Sequence, residues 1–218
     1  MMVMSGKGGV GKTTVAANLA ALLAEKFRIG FIDLDIYAPN AHLILGLPNV
    51  PLAEHSSMLI PPEISLNDKK IQFMSIAMFL PEGVGMALKA EYTLDIIKTI
   101  FQFTRWERDI IIVDAPPSSL DVVNYTLDLV APRASAVLVT EPHRMSLSDC
   151  MRLNDILRLK EIELRAIVLN KFNIFRDAAR FESEVSRLGA PVVKVPWNEE
   201  LQSSLQPQLF RELERFVV

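Results

Sequence analysis

The glycine-rich segment near the start of the chain carries the clearest chemistry in the sequence. Its spacing, Gly6-x-x-x-x-Gly11-Lys12-Thr13, matches the phosphate-binding loop pattern without a deviation. Glycines let backbone N–H groups converge on phosphate oxygens. The Lys12 ammonium can then reach the β- and γ-phosphates of a nucleotide, and the Thr13 hydroxyl can bind Mg²⁺. A helix that begins at the loop would add the positive end of its dipole to the same site.

The second lysine of this segment needs a separate explanation, because one lysine is enough to hold a triphosphate. Lys7 lies at the front of the loop, and the plain alternative for it is a solvated surface lysine. The predicted phosphate-binding residues are Gly6, Lys7, Gly8, Gly9, Val10, Gly11, Lys12, Thr13 and Thr14.

Two further segments end apolar runs in carboxylates. The first reads GFIDLDIYAPN and contains Asp35; the second reads DIIIVDAPPSSLD and contains Asp114. A carboxylate near a γ-phosphate can orient the attacking water, which is the role predicted for Asp35. A carboxylate at a strand end can hold Mg²⁺ through a water, so Thr13, Asp35 and Asp114 are the predicted metal residues. Each aspartate taken alone could also be an ordinary polar strand end.

Short apolar runs typical of strands alternate along the chain with longer amphipathic segments typical of helices, and these elements would position the candidate residues. Strand candidates cover residues 1–4, 29–33, 71–76, 109–114, 134–140, 164–169 and 191–195, and helix candidates cover residues 13–26, 90–103, 121–131, 146–159, 178–188 and 207–217. This alternation predicts an α/β fold, a doubly wound and mainly parallel sheet with helices on both faces. Ligands in such sheets bind beyond the carboxyl ends of the strands, where the candidate residues fall. We expect a single domain over residues 1–218.

One segment departs from this alternation. Residues 46–70 contain four of the thirteen prolines and show no sustained period. Connections of this length are uncommon in compact domains and are often functional or mobile. A surface excursion without function is an equal alternative.

Composition narrows the class of protein further. Half of the residues are hydrophobic, the formal net charge is −3, and there is one cysteine, Cys150. An acidic chain of this kind gives no strong sign of binding nucleic acid or anionic membranes. The sequence shows neither a membrane span nor a signal peptide, and one cysteine excludes an intrachain disulfide framework. We therefore expect a soluble cytoplasmic protein.

The segment GKGGVGKTT resembles the deviant Walker A motif of the MinD/ParA/Mrp group of ATPases. The resemblance implies a P-loop NTPase fold of the SIMIBI type, with ATP or ADP and Mg²⁺ as ligands. It also implies a homodimer that closes around two nucleotides, in which Lys7 reaches the phosphates of the partner's nucleotide. A charge supplied in this way would stabilise the negative charge that develops during phosphoryl transfer. Lys7, Lys12 and Asp35 are therefore the predicted catalytic residues.

The two carboxylate segments resemble the switch regions of the Mrp branch. That branch reads D-x-D-I-Y-G-P-S at the first switch, where this chain has Ala38 and Asn40. At the second switch it reads D-x-P-P-G-T-x-D, where this chain keeps Asp121 but has Ser118 in place of glycine. The resemblance credits that glycine with an N–H donated to the γ-phosphate, and serine also carries an N–H. Whether hydrolysis survives at Ser118 stays open.

The resemblance also assigns a base-binding region. In IVLNKF, Asn170 stands where the family has an asparagine that hydrogen-bonds adenine through its amide. In KVPWNEEL, Pro196 and Trp197 correspond to the segment that lines the base. A strand-end asparagine is also a common turn residue, which is the alternative for Asn170.

The chain departs from the Mrp pattern in one chemically decisive place. Mrp-type carriers hold a bridging iron–sulfur cluster through a C-x-x-C that follows the base-binding asparagine, and this chain reads NKFNIFRDAARFESEV there. No C-x-x-C-bound cluster is expected without those thiolates. Cys150 lies in a helical apolar pattern and is predicted to be a buried small side chain. The last helix candidate has balanced charges and is predicted to pack on the sheet rather than on a membrane.

Together these features predict a slow, dimeric Mg-ATP switch of the Mrp/MinD type. Its output would be a conformational change read by an unknown client protein, with a scaffold or insertion factor for iron–sulfur or other metal centres as the leading role. One alternative is a MinD/ParA-type positioning ATPase that acts on a membrane or nucleoid. The other is a metabolic kinase or ATP-dependent ligase on the same fold, against which Lys7 counts.

Overall fold

The structure is a computed structural model that describes residues 1–36, 39–49, 54–55, 58–79, 90–116, 120–202 and 204–218. Two of the three departures in the switch regions, Ala38 and Ser118, lie outside the described residues, whereas Asn40 lies within them.

An eight-stranded sheet forms the centre of the protein. Its spatial order is β10-β9-β8-β1-β7-β2-β6-β5, and every neighbouring pair is parallel except β5 with β6. The strands are β1 (Met2–Met4), β2 (Ile29–Asp33), β3 (Glu54–His55), β4 (Leu59–Ile60), β5 (Glu63–Leu66), β6 (Lys69–Ser75), β7 (Ile110–Asp114), β8 (Ser135–Thr140), β9 (Glu163–Asn170) and β10 (Val192–Val195). β3 and β4 form a separate antiparallel pair.

Helices cover both faces of this sheet, as the sequence predicts. They are α1 (Lys12–Leu23), α2 (Ala41–Ile44), α3 (Ala90–Gln102), α4 (Leu120–Val130), α5 (Arg144–Leu159), α6 (Ala178–Ser186) and α7 (Arg211–Val217). Two apolar layers result: α1 and α7 pack on one face, and α3 to α6 pack on the other. Because strand side chains alternate between faces, Val3 joins the first layer while Met2 and Met4 join the second. The doubly wound, mainly parallel fold is confirmed.

The segment without a period contains structure that the sequence reading missed. β5 and β6 form a hairpin whose turn residues, Asn67 and Asp68, both have positive φ (47° and 62°). Ile64 and Leu66 of β5 are buried in the core. The hairpin therefore extends the sheet, so the interpretation of residues 46–70 as an irregular loop is wrong for this part.

The C-terminal segment packs as predicted, with Phe210, Leu213 and Val217 inside the core. Its first turn, Pro207–Phe210, is a 3₁₀ turn rather than α-helix. In the described part of the chain, no helix combines the length and the apolar character that crossing a membrane requires.

Candidate nucleotide-binding site

Three adjacent strands bring the predicted phosphate and metal residues together. β1, β7 and β2 are neighbours, and their registers place Val3 beside Asp114 and Asp114 beside Asp33. The glycine-rich loop follows β1, while Asp33 and Asp114 end β2 and β7. Because parallel strands end at the same edge of a sheet, the loop and these carboxylates share one site.

The centre of this site is an ion pair between Lys12 and Asp114. Lys12 Nζ lies 2.6 Å from Asp114 Oδ1, and both side chains are buried. Burial raises the pKa of Asp114, while the Lys12 charge and the hydrogen bond from Lys12 act in the opposite direction. Lys12, the first residue of α1, is therefore tied directly to the end of β7.

Asp33 is a second buried carboxylate beside this pair. It accepts hydrogen bonds from the Asp35 N–H (3.0 Å), the Ser75 hydroxyl (3.2 Å) and the Ala41 N–H (3.4 Å). Burial, together with the charge of Asp114, raises the pKa of Asp33 to about 7. Asp33 thus fixes the turn that carries the half-buried Asp35 away from β2.

The residues at this edge suit a magnesium ion. The Asp114 Oδ2 atom is buried and has no hydrogen-bond partner among the described residues. Carboxylate and hydroxyl oxygens are hard donors, and Mg²⁺ usually takes only one or two carboxylates together with phosphate and water. Thr13 and Asp114 would supply those protein oxygens, with Asp35 beside them. Within the described ranges, no three His, Cys, Asp or Glu residues form a set that could hold a metal by themselves.

The loop backbone explains why glycines occur where they do. Gly9 and Gly11 have φ values of 79° and 92°, in the region that residues with a Cβ rarely adopt. A Cβ on Gly11 would also lie 2.3 Å from Asn170 Nδ2. Gly6 packs on α5, since a Cβ there would lie 2.3 Å from Asp149 Cβ. The loop is therefore held between β9 and α5.

Lys7 lies at the exposed side of this loop. Its side chain is 40% exposed, and its Nζ is 3.9 Å from Glu141 Oε2. Glu141, the first residue after β8, is mostly buried and forms a shorter ion pair with Lys171 at 2.6 Å. Lys171 Nζ also donates to the Gly9 carbonyl at 2.7 Å. Lys7 is thus the least enclosed of the three lysines at this edge.

A cleft of about 290 Å³ adjoins the loop and gathers the predicted base-binding residues. Its lining consists of Gly9, Gly11, Thr14, Ile44, Asn170, Lys171, Pro196, Trp197 and Leu201. The Trp197 backbone is held by two hydrogen bonds with the Asn173 side chain, and Lys171 Nζ lies 5.8 Å from the Trp197 ring centroid. Asn170 Nδ2 donates to the Val10 carbonyl at 2.7 Å, and Asn170 Oδ1 accepts from the Lys171 N–H at 3.0 Å. Both ends of the Asn170 amide therefore bond to the protein itself.

Comparison with known proteins decides the family. A family model described as ParA, the NUBPL iron-transfer P-loop NTPase, matches residues 1–187. The chain belongs to this family.

The curated proteins to which this chain is similar are called iron–sulfur cluster carrier proteins. The one from Rickettsia felis is 31% identical over 182 residues, which are 80% of this chain and 54% of that protein. The one from Helicobacter pylori is 30% identical, over 85% of this chain and 50% of that protein. The one from Pyrococcus furiosus is 33% identical over 77% of this chain and 60% of that protein. The chain thus spans about half the length of the curated relatives it matches.

Solved structures of other proteins show the same fold. A nucleotide-binding protein in complex with ADP from Archaeoglobus fulgidus superposes with a TM-score of 0.71 at 22% identity, covering 92% of this chain and 82% of that one. The septum site-determining protein MinD with Mg-ADP from Pyrococcus horikoshii gives 0.66 at 21% identity, covering 90% and 80%. At these identities the likeness establishes the fold alone.

Most of the residues predicted for this ParA/NUBPL site share one edge of the sheet, but three contributors were not predicted. Asp33, Glu141 and Lys171 all lie at strand ends on that edge. The rule that singled out Asp114 and Asn170 applies equally to them, so the signal was present in the sequence. Their partners, however, become apparent only when the strand order is known: Ser75 reaches Asp33 because β6 lies beside β2, and Lys171 reaches Glu141 because β9 lies beside β8.

Proposed function

We propose that this chain binds Mg-ATP at the glycine-rich loop and hydrolyses it slowly, as a dimeric nucleotide switch. The observation that carries this proposal is the buried Lys12–Asp114 ion pair at the loop, with Lys7 in the same loop and more exposed. Lys12 and the loop N–H groups would hold the phosphates, and Thr13 and Asp114 would hold Mg²⁺. The ion would neutralise phosphate charge, and Asp35 would orient the attacking water.

Lys7 has the exposure that a residue serving a second subunit needs. An ammonium that is 40% exposed and 3.9 Å from its nearest carboxylate can leave that contact at small cost, because such pairs contribute little. In a face-to-face homodimer it would supply positive charge to the partner's nucleotide. This is the feature that separates a switch ATPase from a metabolic kinase or ligase with the same fold.

The names of the relatives favour a client in iron–sulfur metabolism. We extend that role to this chain as a nucleotide-controlled insertion factor, without assigning it the cluster ligands. The chain has one cysteine and its side chain is buried, so in this proposal the thiolates for a bound cluster come from another protein. A reducing cytoplasm is the compartment that suits such chemistry.

The test is the mass of the protein in solution, measured by light scattering with Mg-ADP and with Mg-ATP. We expect Mg-ATP to double the mass of the wild type and of Lys98→Ala, an exposed lysine on α3. The Lys7→Ala variant should stay monomeric while it still binds ATP. The rate of phosphate release, measured on the same samples, should be lower in the Lys7→Ala variant than in the wild type, because the variant does not dimerise. A wild type that binds ATP but remains monomeric, or a Lys7→Ala variant that dimerises normally, would contradict the proposal.

A further inference from the structure

A surface groove between α5 and α6 lies outside the nucleotide site. Two adjoining cavities of about 660 and 180 Å³ share Met151 and Arg180, so they form one continuous depression. We call this the α5–α6 groove and define it by Arg144, Leu147 and Met151 from α5 and by Arg180, Phe181 and Arg187 from α6 and the residue after it.

The floor of the α5–α6 groove is apolar and partly open to solvent. Leu147 is buried and Phe181 is half-buried, so both anchor the floor to the core. Met151 is 49% exposed, although it is a large apolar side chain. Methionine is flexible and polarisable, which suits a surface that adapts to a partner. The floor therefore offers apolar area to a docked side chain.

The rim of the groove is positively charged, in contrast to the chain as a whole. Three arginines line it against one acidic residue, Glu184, while the chain carries a net charge of −3. Glu184 is paired with Arg180 at 3.1 Å. In the part of the chain that the structure describes, neither Arg144 nor Arg187 has an ion-pair partner. Two guanidinium groups are thus available to carboxylates of another molecule.

We propose that the α5–α6 groove binds an acidic amphipathic helix of another protein. Arginines beside exposed apolar side chains are typical of interface hot spots, and the charges would be complementary to glutamates flanking an apolar stripe. A helix lying in a groove is a recurring mode of recognition. The apolar floor disfavours nucleic acid, and the concave shape disfavours a flat lipid surface. This surface is a candidate for the contact with the client.

The first experiment uses a fluorescein-labelled peptide of about 18 residues, roughly five helical turns, with leucines on one face and glutamates on the other. A matched peptide carries lysines in place of the glutamates. We expect fluorescence anisotropy to show salt-sensitive micromolar binding of the acidic peptide to the wild-type chain. The basic peptide should bind at least about tenfold more weakly. Equal binding of the two peptides, or no binding of either, would overturn the proposal.

Substitutions in the α5–α6 groove test whether the acidic peptide binds there. Arg180→Glu with Arg187→Glu should weaken the acidic peptide at least about tenfold, and Met151→Glu should do so without removing an arginine. The control is Arg105→Glu, an exposed arginine outside the groove, which should leave binding unchanged. All variants should keep nucleotide binding, which shows that they are folded. Peptide binding that survives both groove changes would overturn the assignment.

Two other occupants are separated by the same variants. If the groove variants lose flotation with phosphatidylserine vesicles while the two peptides bind equally, the surface serves a membrane and the proposal is wrong. If light scattering shows a nucleotide-independent dimer that Arg187→Glu disperses, the occupant is a second copy of this chain and the proposal is also wrong.

Discussion

At the scale of single residues, the Lys12–Asp114 pair is a candidate site, but burying its two charges also costs free energy of folding. Asp114 is fully buried, and its Oδ2 atom has no hydrogen-bond partner among the described residues. A carboxylate in that position depends on the Lys12 charge, because desolvation of an unpaired charge is expensive. The position therefore suits ligand chemistry better than it suits stability.

The Lys12→Met variant tests this view. We expect it to lower the free energy of unfolding by about 3 kcal/mol, since it leaves a buried carboxylate without its counter-charge. Urea denaturation followed by circular dichroism measures the change. The double variant Lys12→Met with Asp114→Asn removes both charges and should recover part of the loss. If the double variant loses more stability than the two single variants lose together, the unpaired charge is not the cause of the loss in Lys12→Met.

Two single residues, Asn170 and Trp197, are the candidates for binding the base of the nucleotide. Because the Asn170 amide bonds to Val10 and Lys171, we expect Trp197 to contribute more to nucleotide binding than Asn170 does through direct contact with the base. Stacking of a base on an aromatic side chain is worth about 1–3 kcal/mol. Trp197→Ala should therefore weaken binding of fluorescent ATP roughly tenfold, whereas Trp197→Phe should retain most of it. Unchanged affinity in Trp197→Ala would show that the ring lies outside the contact.

At the scale of elements, the loop depends on the helix behind it. Gly6 is in contact with α5, and a Cβ there would meet Asp149 Cβ at 2.3 Å and its backbone at 3.0 Å. Gly8 offers a matched control, because a Cβ there meets nothing within 4 Å and its φ is not positive. The two glycines belong to the same loop but differ in their surroundings.

Gly6→Ala should therefore destabilise the protein by about 1–3 kcal/mol, because overpacking forces α5 and the loop apart. Gly8→Ala should change the free energy of unfolding by less than about 0.5 kcal/mol. Thermal and urea unfolding of the two variants provide the comparison. Equal stability of the two variants would mean that the loop and α5 can move apart to accommodate the added methyl group at little cost in free energy.

The sequence predicts elements well where one pattern dominates. The seven predicted strands are β1, β2, β6, β7, β8, β9 and β10, and most of their residues are apolar and buried. β5 was missed because only Ile64 and Leu66 face the core and prolines precede it. The Asn67–Asp68 turn was a usable hairpin signal, since these residues tolerate positive φ. The partners of Asn170 and Glu141 could not be predicted, because they depend on which strands become neighbours.

At the scale of the whole molecule, the nucleotide edge and the α5–α6 groove are joined by α5. This helix contacts the glycine-rich loop through Asp149 and supplies Arg144 and Met151 to the groove. A rearrangement of the loop on nucleotide binding would reach the groove through one rigid element. The acidic peptide should accordingly bind with different affinity in Mg-ADP and in Mg-ATP, and identical affinities would show that the two sites are uncoupled.

The proposed role in iron–sulfur metabolism can be tested at the single cysteine of the chain. Burial raises the pKa of the Cys150 thiol to about 12, so at neutral pH it is a thiol rather than the thiolate that iron requires. Anaerobic incubation of the chain with ferrous iron and sulfide, followed by desalting, should leave no visible charge-transfer absorption. Cys150→Ser should behave identically. A stable coloured species that disappears in Cys150→Ser would mean that Cys150 leaves the core to bind a cluster, and the division of labour between a switch and a separate cluster-binding protein would then fail.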